Sequence, residues 1–330
     1  MATIKMHNAG VMYAAEAVYG TAVSVTTPLA GKTATVTLNM AHNLGRTVGL
    51  GEGRNQNTTS PTYGGFDVAG TIEWEVGDLD VLQFCVGPIT GSGTGASPFI
   101  LNEAAAIGFT TDDIKSFSME VAANEATDFG YLLQGCVIGT VTLTAAVGDK
   151  LRGSFDFTAQ TCSQLSAVTT YTPSTVTPWV FQQGDILWGT TPSSIAKVAQ
   201  IGITLNNNLQ LYRSIGSRFI EQPEPGERKY DFTTVLRMTE LIATTVATDF
   251  LGGLSPATGV DSAVPQNNNE LQLQFAEGNA STDRHMTIQL DECYLEAQSM
   301  PFEMGGGILE GTYNGFANKA KANDFASWVT

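Results

Sequence analysis

Positive charge is scarce in this sequence: 16 Lys and Arg stand against 32 Asp and Glu, for a formal net charge of −16. Affinity for nucleic acid comes largely from basic side chains that displace counterions from phosphate, so a tight grip on DNA or RNA is disfavoured. Histidine is scarcer still, with only His7, His42 and His285. A catalytic apparatus needs convergent titratable groups, and none of the G-x-S-x-G, H-E-x-x-H or paired-carboxylate signatures occurs. The glycine-rich stretches "GLGEGR" and "GPITGSGTG" lack the Lys and the following helix of a phosphate loop. The four cysteines, Cys85, Cys136, Cys162 and Cys293, lie far apart without a C-x-x-C pair, which signals neither a zinc site nor a thioredoxin-like one. They read as free, mostly buried thiols. No stretch reaches the roughly 18 uninterrupted apolar residues of a membrane span, and the opening segment has no basic region leading into an apolar run. The expectation is a protein that is no enzyme, inserts in no membrane and holds no metal or cofactor. The densest polar cluster is Asp283, His285, Asp291 and Glu292; strand alternation sends Asp291 and Glu292 to opposite faces, which argues against a metal site.

What the chain does have is alternation. In "TIEWEV" Ile72, Trp74 and Val76 face one way and Thr71, Glu73 and Glu75 the other. "SFSMEV" sets Phe117, Met119 and Val121 against Ser116, Ser118 and Glu120, and "LQLQF" sets Leu271, Leu273 and Phe275 against Gln272 and Gln274. These read as half-buried antiparallel strands. Further strands are expected in "GCVIGTVTLTAAV" and "LRGSFDFTAQ", joined by a turn at Gly148 and Asp149, and in "HMTIQLDECYLEAQ" and "ILEGTYNGFAN". Only 77–86 and 239–251 read as helix.

The chain also repeats itself. "TLNMAHNLGRTVG" (37–49) matches "TLNNNLQLYRSIG" (204–216), and Phe66 and Asp67 correspond to Tyr230 and Asp231. Cys136 corresponds to Cys293, and Leu151, Gly153 and Ala159 to Leu309, Gly311 and Ala317. The matched pairs lie 167, 164, 157 and 158 residues apart and keep their order, the mark of an internal duplication. The expected organisation is therefore an N-terminal arm (1–30), a first β domain (31–160), a packed connector (161–197), a second β domain (198–320) and a C-terminal tail (321–330). The connector carries Trp179, Phe181 and Trp188, more aromatic surface than a plain tether needs; it and the N-terminal arm are candidates to strap neighbouring subunits. Long loops follow the motif in both halves, at 51–65 and 217–229. Loops of that length in a compact domain usually have a task.

An acidic, cysteine-poor, duplicated β chain of this kind resembles the major tail tube proteins of long-tailed, siphovirus-like viruses of bacteria and archaea. The likeness is carried by "AEAVYGTAV" (Glu16, Tyr19, Gly20, Thr21), "GRTVGLGEGRNQ", "FDVAGTIEWEVGDLDVLQFCVG" and "GCVIGTVTLTAAVGDKLRGSFDFTA". The resemblance implies two similar antiparallel β-sandwich domains, each with one short helix. It further implies rings stacked into a conduit for genome delivery, with the chain assembled in the host cytoplasm and located in the virion tail. Two copies per chain suggest a trimeric ring with pseudo-sixfold symmetry. Tape measure, terminator and tip proteins are the implied partners, and viral DNA is non-specific passing cargo. Glu73, Glu75 and Glu120 are the expected lumen-facing carboxylates. Arg54, Asn55, Gln56, Asn57 and Tyr63 in the first loop, and Arg218, Glu221, Glu224, Glu227 and Arg228 in the second, are the expected ring-stacking residues. The alternative reading is a two-domain β-sandwich surface, decoration or adhesin protein.

Overall fold

The computed structural model describes residues 9–45, 62–94, 96–104, 108, 113–123, 129–189, 191–195, 198–237, 269–278, 283–299 and 310–328. Its first half contains β1 (Ala9–Ala15), β2 (Thr27–Pro28), β3 (Gly31–Gly45), β4 (Thr62–Val76), β5 (Ile89–Thr90), β6 (Phe99–Leu101), β7 (Phe117–Ala123), β8 (Phe129–Ala146), β9 (Arg152–Ala159) and β10 (Thr161–Gln164). The second contains β11 (Gly184–Gly189), β12 (Ser193–Ser194), β13 (Val198–Asn206), β14 (Lys229–Arg237), β15 (Asn269–Ala276), β16 (His285–Ser299) and β17 (Glu310–Trp328). The protein is mainly β, and every pairing between these strands is antiparallel.

In the first half the strands pair in the order β3, β4, β9, β8, β7, β1. In the second they pair in the order β13, β14, β17, β16, β15, β11. The order is the same, and three of its bulges recur at matching places. Bulges fall between Thr33 and Thr35 and between Val198 and Gln200; between Ile138 and Thr140 and between Leu295 and Ala297; and between Phe117 and Met119 and between Asn269 and Leu271. A bulge bends its strand, which lets one long strand leave one sheet and enter another. Thus β8 pairs with β7 up to Cys136 and with β9 from Val137 onward. At the bend the backbone is left-handed at Gly135 (φ 65°) and, at the matching place in β16, at Glu292 (φ 53°).

These landmarks revise the sequence alignment. The correspondences of Cys136 with Cys293 and of Ala159 with Ala317 agree with the ladder, but Val198 is the counterpart of Thr33, 165 positions on, where the opening motif implied 167. A shift of two residues leaves every side chain on its own face of a strand, so the letters match while the pairing does not. The second motif also leaves the strand at Asn206; residues 207–228 form a long loop.

The two halves join directly, because β8 pairs with β13 from Thr140 opposite Asn206 to Ala146 opposite Gln200. One hydrophobic cluster crosses this seam, with Val141, Leu143 and Ala145 packing among Ile201, Ile203 and Leu205. The main core is thus continuous from the first half to the second.

The helix expected at 77–86 is a single 3-10 turn, Asp80–Phe84, started by the Asp78 carboxylate accepting from the Asp80 N–H (3.1 Å). Its Val81, Leu82 and Phe84 are buried, with Phe84 stacked on Phe117 at 4.4 Å. The second expected helix, 239–251, lies outside the described residues. The tail expected from 321 belongs, up to Trp328, to β17. Cys85, Cys136 and Cys293 are buried and Cys162 is partly exposed; burial pushes the Cys85 and Cys293 thiols up to about 12.

The paired bends generate an asymmetric test. A Cβ at Gly135 would lie 2.8 Å from the Gln160 Cβ, on backbone that costs an L-residue roughly 1–2 kcal/mol. Gly135→Ala should therefore destabilise the chain by about 2 kcal/mol or more, whereas Glu292→Gly should be close to neutral, relief of strain offsetting the lost contacts of an exposed side chain. Urea unfolding of the two variants checks it.

Candidate functional site

The sheet that runs β3, β4, β9, β8, β13, β14, β17 and β16 turns one face to the core and the other outward. Across its middle the outward row reads Thr35, Glu73, Ser154, Thr142, Thr204, Asp231, Phe316 and Tyr294. Short hydroxyl side chains dominate where the halves meet, and the Thr142 and Thr204 hydroxyls hydrogen-bond at 3.2 Å across the seam. Glu73 and Glu75 stand on this face, as their alternation implied.

Glu120 does not share it. It lies in β7, 5% exposed, and its carboxylate accepts from the Thr169 N–H (2.6 Å) and hydroxyl (2.8 Å). Both faces of β7 are covered: Phe117 and Met119 point into the core, and on the other face the connector lies over Glu120 and the N-terminal arm over Ser116 and Ser118. Two-sided burial is what alternation alone could not foresee. The face that holds Glu73 and Glu75 is also not uniformly acidic. Glu75 pairs with Lys150 at 2.6 Å, Glu310 with Arg237 at 3.1 Å, and Asp67 with Arg213, while Lys32 and Arg152 flank Glu75 in register. Such surface pairs contribute little stability, but they cancel much of the field that unpaired carboxylates would project.

The arm and the connector anchor to the chain's own sheets. Glu16, 1% exposed, accepts four hydrogen bonds: from Gly20 N–H (2.9 Å), Ser116 hydroxyl (2.7 Å), Ser118 hydroxyl (2.8 Å) and Gly135 N–H (2.8 Å). A buried carboxylate is tolerable only with such compensation. The connector, a candidate strap for neighbours, packs on its own chain: Trp179 exchanges backbone bonds with Val76 and Leu151, and the guanidinium of Arg284 lies 4.0 Å over its ring. Arg284 also donates to the carbonyls of Gly77 (3.1 Å) and Thr177 (2.6 Å) and pairs with Glu277 at 3.1 Å. The connector's β11 then joins β15 as β1 joins β7.

Of the expected stacking residues, Arg54, Asn55, Gln56 and Asn57 lie outside the described residues, and Tyr63 falls within β4, opposite Leu44. Arg228 is not a loop-tip residue: its guanidinium donates to the carbonyls of Cys85 (3.2 Å) and Ala104 (3.0 Å), to Glu103 (3.2 Å) and to Asn207 (2.8 Å), locking the second half to the first. Arg218 reaches His42 Nδ1 (3.3 Å) and its carbonyl accepts from the Phe66 N–H (2.8 Å), so it too binds the first half. Glu221 is half-buried, the Glu224 backbone is bridged to Gln210, and Glu224 and Glu227 are exposed. What projects is the tip between: Leu211, Tyr212, Phe219 and, fully exposed, Ile215. The apolar letters of "LYRSIG" were the available signal, passed over because the long loop was expected to begin only at 217. The Asp291 and Glu292 carboxylates are not on opposite faces either; the bulge turns both toward Lys319 Nζ, at 3.9 and 2.6 Å. Among the described residues no group of three or more His, Cys, Asp or Glu side chains could hold a metal ion, and no helix is long and apolar enough to cross a membrane.

The fold is that of a mainly β protein whose long sheet ends, among the described residues, in open edges at β3 and at the end of β16. The chain matches the family model described as phage tail tube protein over residues 6–303, and it belongs to that family. No curated protein matches it. Membership makes it a structural component of a virion tail, in a family that self-assembles into a tube with other tail proteins.

The junction under the connector yields a pH test. Burial, and next the neighbouring Asp80, push the Asp78 carboxyl up to about 7. Between the ordinary carboxylate range and pH 7 the folded chain then binds more protons at this group than the unfolded chain, so this contribution to stability falls as pH rises through that window and levels off above it. Asp78→Asn should flatten the slope and raise stability at pH 8 by on the order of 1–3 kcal/mol, read as the shift in urea midpoint across pH 4–8.

Proposed function

We propose that this chain is the major tail tube subunit of a long-tailed virus, and that it arose by tandem duplication of a single tube domain. The observation that carries this reading is the seam between β8 and β13, where two halves with one strand order and matching bulges join edge to edge into a single sheet. Each half leads with its own arm, β1 and β2 in the first and β11 and β12 in the second. Three such chains supply six half-units to a ring of pseudo-sixfold symmetry, and rings stack into the conduit through which the genome leaves.

In that arrangement the hydroxyl-rich face carrying Glu73 and Glu75 lines the bore. Threonine, serine and paired charges offer DNA no cluster of basic side chains to grip, so the polymer slides as cargo without sticking. The apolar tip at Ile215, and with it the loop at 51–65, lies where rings meet. Tape measure, terminator and tip proteins occupy the inside and the ends, and assembly takes place in the host cytoplasm.

The purified chain should form hollow tubes in negative stain, with end-on views showing three strong and six weaker repeats; flat lattices or persistent monomers would favour a surface or decoration role instead. Glu73→Lys should leave tubes intact, since the side chain is exposed, and should slow genome ejection at low salt with recovery as salt rises. Ejection that is unchanged at every salt concentration removes Glu73 from the lining.

A further inference from the structure

One edge of the long sheet is left open at each end. Among the described residues β3 pairs only with β4, and the end of β16 from Leu295 to Ser299 pairs only with β17. A 15-residue strand with one edge unpaired is an aggregation hazard that natural proteins cover or pair. The positions of these two edges in their halves are informative. β3 occupies the place in the first half that β13 occupies in the second, and the end of β16 occupies the place that the end of β8 occupies in the first. Within one chain those places are bonded to each other, as β8 to β13.

Resting on the ring reading above, we infer that β3 of one copy pairs with the end of β16 of a second copy, in the register that the β8 to β13 seam displays. The bulges transfer that register without ambiguity. Thr140 and Ala297 each follow the bulge in their strand, and Gln200 and Thr35 each follow theirs. Thr140 opposite Asn206 therefore maps to Ala297 opposite Ala41, and Thr142 opposite Thr204 maps to Ser299 opposite Asn39.

Three observations identify a second copy as the occupant. First, Ile201, Ile203 and Leu205 are 0% exposed beside the seam, whereas their counterparts Val36 and Leu38 are only partly buried and Met40 is 41% exposed. The first half carries the apolar face of a buried strand and lacks its cover. Second, an open groove of about 370 Å³ runs beneath β3, lined by Val36, Leu38, Val121, Phe129 and Tyr131. Third, Asn39 and Ser299 are exposed and stand in the places of Thr204 and Thr142, so the transferred register keeps the outward face polar across the joint. A slip of one residue would turn Met40 to that face and Asn39 into the groove. The contact is heterologous, with different surfaces on the two partners, and such a contact closes into a ring when its rotation divides a full turn.

The test is cross-linking between copies in assembled tubes, in a Cys162→Ser background that leaves only buried native thiols. Chains carrying Asn39→Cys and Ser299→Cys together should give a covalent ladder ending at the ring size on mild oxidation, and a mixture of the two single variants should give mainly dimers. The off-register pair Ala41→Cys and Ser299→Cys should cross-link at least tenfold less. Met40→Arg, changed at an exposed site, should leave thermal unfolding of the monomer unchanged and abolish tubes. If tubes form but the off-register pair links as well as the matched pair, the register is overturned while the tube reading stands. If the unmodified chain stays monomeric under all assembly conditions, both are overturned.

Discussion

The seam between β8 and β13 is the constraint on which the rest of the molecule depends. It sets the register between the two halves, and with period-two side chains a slip of a single position would exchange Leu143 and Ile203 for Thr142 and Thr204 in the core. The surrounding polar locks serve that register. Asn207, fully buried just past β13, donates to the carbonyls of Cys85 (2.9 Å) and Ile138 (3.3 Å), and Arg228 reaches the same Cys85 carbonyl from the far end of the loop. Both side chains belong to the second half and both acceptor carbonyls to the first. Fixing the register also fixes the outward face, because the row from Glu73 to Asp231 exists only if these strands meet as they do.

Much of this was legible in the sequence, in places that can be named. "TIEWEV" and "LQLQF" alternate and have one face in the core, so Ile72, Trp74, Leu273 and Phe275 declared themselves. "SFSMEV" alternates equally well, yet Ser116, Ser118 and Glu120 are buried, because the arm and the connector cover the second face of β7 and supply hydrogen bonds to each polar group. A pattern reports which residues are apolar; it does not report what remote segment returns to cover the polar ones. Glu16 illustrates the same limit: its four donors come from residues up to 119 positions away.

The likeness between the halves, which share one strand order, was legible too, but its alignment was drawn to letters rather than to hydrogen bonds. Cys136 and Cys293 marked true equivalents because each sits beside the bend of a long strand, where geometry is demanding. Thr37 and Thr204 did not, since an exposed strand residue accepts many substitutes and a two-residue offset costs no change of face. Asp291 and Glu292 failed for a related reason: the left-handed backbone at Glu292 breaks the alternation that separated them. The irregular positions of a sheet, which carry the most specific information, are those that periodic reading treats as noise.

The placement of one seam inside the polypeptide has a kinetic consequence. Its two edges are tethered, so they meet at an effective concentration in the millimolar range or above and form at any dilution, whereas an edge offered to another molecule forms only as concentration and association entropy permit. In the proposed ring every second joint would then be permanent for the lifetime of the chain. Growth and repair would proceed by exchange at the remaining joints alone, with half as many encounters required for closure as a ring of separate half-units would need.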